Sequence, residues 1–81
     1  MSDPHAPYRI LRNIDRRIAE DLYRIERQHH YLDELRLGQR DAQEAAAALL
    51  MLEAELRSLR SERDALIRAL SPMPESTTVF H

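Results

Sequence analysis

Glu26-Arg-Gln-His29 places a carboxylate and an imidazole three residues apart. On a helix those two side chains share a face, and Glu-x-x-His is the spacing that carries metal in di-iron four-helix bundles. Two such motifs brought together by a symmetric pair of chains, with Glu53 and Glu55 as further carboxylates, would supply a ligand set. The plainer reading has Glu26 solvated, Glu53 paired with Arg24, and His29 packed over small side chains. A single Glu-x-x-His is common in an acid-rich helix, so Glu26 and His29 are weak metal candidates and no cofactor is expected. His29, His30 and Asp33 are a second weak grouping. Adjacent helical histidines point about 100° apart and share one ion poorly. His5 and His81 lie in expected tails.

All twelve positive residues are arginine and none is lysine. Arginine suits forked contacts to carboxylate or phosphate. Arg9, Arg12, Arg16, Arg17, Arg24 and Arg27 crowd the first half of the chain, which suggests an RNA- or DNA-binding face. Six acids are interspersed among the seven arginines of residues 8–36, the pattern of a solvated surface. The formal net charge is −2, so the chain as a whole is no polycation. It has no cysteine, which removes disulfides and thiolate metal sites. No catalytic motif rises above background, and the protein is expected not to be an enzyme.

Two ladders of apolar residues must position whatever these groups do. The first is Leu11, Ile14, Ile18, Ile25, Leu32 and Leu35. The second is Ala42, Ala45, Leu49, Leu52, Leu56, Leu59, Arg63, Leu66 and Leu70. Steps of three and four are the seam of one helix lying lengthwise on another. The chain is 32% charged and 5% aromatic with a single glycine, a composition for helix rather than sheet. The reading is a tail over residues 1–6, a first helix over about 7–36, a turn over 37–41, a second helix over about 42–70, and a tail over 71–81. Pro7 is tolerable in a first helical turn. Gly38 is expected to take the left-handed conformation that ends a helix. Asp41 with Glu44 three residues later fits an N-terminal cap, and Pro72 stops the second helix. Arg17/Asp21, Arg16/Glu20 and Glu20/Arg24 are expected as surface pairs.

A single long helix is the rival. Carrying the first seven-residue repeat through Gly38 throws Leu52 and Leu59 off the seam, so the phase shift favours a turn. With the repeat lettered a to g, Leu11, Ile18, Ile25 and Leu32 take a positions, and Ala45, Leu52, Leu59 and Leu66 take d. Antiparallel pairing about the turn then sets Leu11 against Leu66, Ile18 against Leu59, Ile25 against Leu52 and Leu32 against Ala45. It levels the alanines of residues 45–48 with His29, Tyr31 and Leu32, and sets Arg63 beside Asp15. Leu49, Leu50, Met51 and Leu52 point all round their helix, so one partner cannot cover them. Leu52, on the seam as well, is expected to be buried from two directions.

Two helices alone make a small core, and chains this short usually need an oligomer or a partner. The expected object is therefore all-α: an antiparallel, coiled-coil-like hairpin that dimerises into a four-helix bundle. Its interface residues are Ile14, Ile18, Leu22, Ile25, Leu49, Leu50, Met51, Leu52, Leu56, Leu59 and Leu66. The expected role is a scaffold, adaptor, chaperone or regulatory subunit that binds itself and another protein through apolar helix faces. The beginning MSDPHAPYRI has no apolar leader segment. The longest apolar run falls far short of the roughly 20 residues that span a bilayer. A cytoplasmic location without membrane contact is the expectation.

Overall fold

The computed structural model describes residues 3–70. Helix α1 spans Ala6–Leu37 and helix α2 spans Gln43–Leu70, and they pack on each other along their length as a hairpin. At about 1.5 Å per residue, α1 is roughly 48 Å long. No helix among the described residues is long and apolar enough to cross a membrane. The expected tail at residues 71–81 lies outside the described residues.

Local chemistry explains where each helix begins and ends. Pro7 sits in the first turn of α1, where its missing N–H is no loss. His5 N–H donates to Asp3 Oδ1 at 2.9 Å, and the Arg9 guanidinium closes onto the other carboxylate oxygen. That arginine, helped by the His5 N–H, holds the Asp3 carboxyl below its usual range. At the other end Gly38 N–H donates to Glu34 O, Gln39 N–H to Arg36 O and Arg40 N–H to Leu35 O. The last two bonds are the paired closure of a Schellman ending, in which one residue must be left-handed. That residue is Gln39, at φ 56°; Gly38 is at φ −83°. The expectation for Gly38 is corrected by one position, because the helix extends a residue further than its periodicity indicated.

A left-handed side chain costs about 1–2 kcal/mol, so Gln39→Gly should stabilise the hairpin by up to about 1 kcal/mol. Gly38→Ala should be tolerated. A Cβ at that position meets the Arg40 side chain at 3.4 Å and the Glu34 carbonyl at 3.5 Å, which are ordinary contacts. Thermal melts of both variants check this, and a destabilised Gln39→Gly would contradict the turn geometry. Beyond the turn, Asp41 Oδ1 accepts from Gln43 N–H at 3.0 Å. The first backbone bond of α2 is accepted by the Ala42 carbonyl, so Asp41 holds the helix start from one residue outside the cap position at which it was expected.

The core is thin. Near the turn Leu32, Leu35, Ala45 and Leu49 are buried together, with Ile25, Ala42 and Ala46 packed against them. Ile14, Leu56 and Leu59 are buried further along. Leu32 and Ala45, paired by register, share one cluster. Full burial of each large side chain contributes about 1.5–3 kcal/mol. The remaining seam residues Leu11, Ile18, Ile25, Leu52, Leu66 and Leu70 are only half-buried. Leu22 is exposed, because it sits on the flank of α1 rather than on the seam.

Candidate functional site

The repeat that sets Ile14 and Leu35 on the seam also places Asp21 and Gln28 there, seven and fourteen residues after Ile14. Both face α2. Gln28 Nε2 donates to the Ala45 carbonyl at 3.0 Å, tying the helices together with a polar contact. Asp21 is 1% exposed, the only charged residue among the buried ones described. Its Oδ1 accepts from Arg24 at 3.3 Å. Its Oδ2 is buried with no hydrogen-bond partner. Burial raises the Asp21 carboxyl above its ordinary value and the neighbouring Glu55 carboxylate adds to this, against the pull of Arg24 and Arg17. Glu55 is held in turn by Arg17, at 3.2 Å across the helices.

This cluster was missed by the apolar ladders, which step over positions 21 and 28 because those residues are polar. The seven-residue spacing alone was the available signal. The cluster also corrects the expected surface pairs. Arg17 reaches across to Glu55 and not along α1 to Asp21, while Arg24 bonds Asp21 one turn back. The reason is that Asp21 points into the seam.

Beside the cluster runs an open groove lined by Glu20, Tyr23, Arg24, Arg27, Gln28 and Leu52. Arg27 lies over the Tyr23 ring, 5.7 Å from its centre. Within the single hairpin Leu52 is half-buried and lines this groove; the second cover expected of it would come from a further helix.

The weak metal candidates are not gathered within the hairpin. His29 Nε2 lies 3.9 Å from Glu53 Oε2. No group of three or more His, Asp or Glu side chains able to hold an ion occurs among the described residues. His29 is exposed, so it does not pack over the alanines, and Glu53 meets His29 rather than Arg24. Tyr31 likewise projects into solvent. Of the arginines on α1, Arg9, Arg17 and Arg24 are held by carboxylates and Arg27 by Tyr23. Arg12 and Arg16 are exposed. Arg63 bonds Asp15, the pairing that the register placed at that level.

Two large apolar side chains point away from the hairpin on α2. Leu50 is 66% exposed and Met51 74%, while Leu49 beside them is buried. No protein-family model, curated protein or solved structure matches this chain.

Proposed function

We propose that this protein is a non-enzymatic protein–protein interaction module, a scaffold, adaptor or regulatory subunit, that works as a self-associated pair of hairpins in a four-helix assembly. The exposed Leu50 and Met51 on the far side of α2 carry this reading. Large apolar side chains in the middle of a helix, with the seam facing elsewhere, mark a surface that another helix covers. The thin core supports it too, because a two-helix unit gains little from burial on its own. Recognition would follow the helix-face mode, with apolar anchors supplying affinity and bordering charges fixing orientation.

Sedimentation equilibrium of the full chain at micromolar concentration tests the self-association. The expected result is a dimer whose melting temperature rises with protein concentration. A stable, fully helical monomer over that range would overturn the reading.

A further inference from the structure

We infer that the outer face of α2 is the self-association surface, and that a second copy's α2 lies against it in parallel. The inference rests on the self-association reading above and specifies its surface and geometry. Ala47, Met51, Ala54, Ser58, Ser61 and Ala65 follow one another in steps of four and three. All six are exposed. They form a second seam on α2, nearly opposite the one that packs on α1. No charged residue interrupts it for five turns, and Leu50 borders it. The corresponding strip on α1 carries Arg9, Arg16, Glu20, Arg27 and Glu34. Desolvating the α1 strip would strip water from five charges, whereas the α2 strip loses almost none. Ser58 and Ser61 can return their hydroxyl bonds to carbonyls one turn back in their own helix.

The bordering charges identify the occupant and its direction. One border of the strip holds Leu50, Arg57 and Asp64; the other holds Ala48, Glu55 and Glu62. In a parallel two-fold pair, each border residue meets the opposite border of the other helix five positions on. Arg57 then meets the second copy's Glu62, and the symmetry repeats the contact. Leu50 lies over the stem of Glu55, whose carboxylate Arg17 already holds. Asp64 meets Ala69. No like charges face each other. Antiparallel pairing over the full helix would instead set Arg57 against Arg57 and Glu55 against Glu55. Met51 is the one large side chain among the six, and the small ones around it let the backbones approach closely. The four helices then lie in a row, α1, α2, α2 and α1.

Single-residue variants of the full chain test this, and the absence of native cysteine makes one of them direct. Met51→Cys should oxidise to a disulfide-linked dimer, because a parallel two-fold axis sets residue 51 against itself within bonding reach. Met51→Glu should weaken the dimer by roughly 100-fold or more, since two carboxylates would then face each other in the dry strip. Circular dichroism at a concentration high enough for Met51→Glu to associate should show it as helical as wild type, the side chain being free of the hairpin core. Arg57→Glu should weaken the dimer, and Arg57→Glu with Glu62→Arg should restore it. A monomeric wild type would overturn both this inference and the reading it rests on. A wild-type dimer indifferent to Met51→Glu would overturn the α2 face and leave the interaction module standing. A dimer sensitive to Met51→Glu, in which Met51→Cys does not cross-link and the charge swap does not restore binding, would overturn the parallel arrangement.

Discussion

Leu59→Ala should destabilise the hairpin by about 2–5 kcal/mol, the range for large-to-small changes in a packed core. Leu59 is 3% exposed and lies where the register sets it against Ile18. A core this small supplies only about 3–5 kcal/mol in all, so the variant should be largely unfolded at ambient temperature. Leu52→Ala should cost clearly less, because Leu52 opens on one side to the groove beside Tyr23 and Gln28. Leu70→Ala, at the half-buried last residue of α2, should also cost less than Leu59→Ala. Urea denaturation of the three variants at one matched concentration checks the order. A Leu52→Ala chain less stable than Leu59→Ala would mean that the helices meet in a different register.

Asp21→Leu should act in the opposite direction and stabilise the hairpin by about 1–4 kcal/mol. That is the range found when buried charges give way to apolar side chains. Asp21 occupies a seam position but leaves Oδ2 without a partner and faces a second carboxylate, that of Glu55. Its single bond to Arg24 at 3.3 Å offsets little of the cost of desolvation, because that guanidinium is mostly in water. Leucine would join the apolar run between Ile14 and Leu35 and leave Arg17 free to hold Glu55.

The same site gives a pH dependence of unusual sign. The folded state raises the Asp21 carboxyl, so it binds that proton more tightly than the unfolded chain does. Stability from this group is therefore gained as pH falls through the raised folded value, and is complete below the ordinary carboxylate range. Asp3 works the other way. Its carboxyl is depressed, so its contribution is present above the ordinary range and is lost as pH falls through the lower folded value. The advantage of Asp21→Asn over wild type should be largest near neutrality and shrink on mild acidification, before Asp3 protonates. Denaturation curves of the pair across the acidic range measure that difference directly. A constant difference would mean that Asp21 does not change protonation there.

The amino-acid sequence by itself determined the two helices, the turn that folds them into a hairpin and two of the levels at which they face each other. Apolar steps of three and four require a helix with one buried stripe. The phase shift at Gly38 requires a turn, and Asp41 carries a side-chain oxygen that holds a helix start. Leu32 with Ala45 and Asp15 with Arg63 were readable as levels on facing helices, because an antiparallel pair leaves few registers once the turn is placed. Only the tertiary structure decided what the polar seam positions do. Asp21 looked like a surface partner for Arg17 because an acid is ordinarily solvated; packing turns it inward and redirects Arg17 to Glu55. The left-handed residue proved to be Gln39 because the hydrogen-bond closure of the last turn, rather than residue preference, sets which position must bend. The all-round apolar stretch at residues 49–52 was legible as a pattern. Which of its members face outward depends on where α1 lies, and that placement leaves Leu50 and Met51 in water while Leu49 is enclosed.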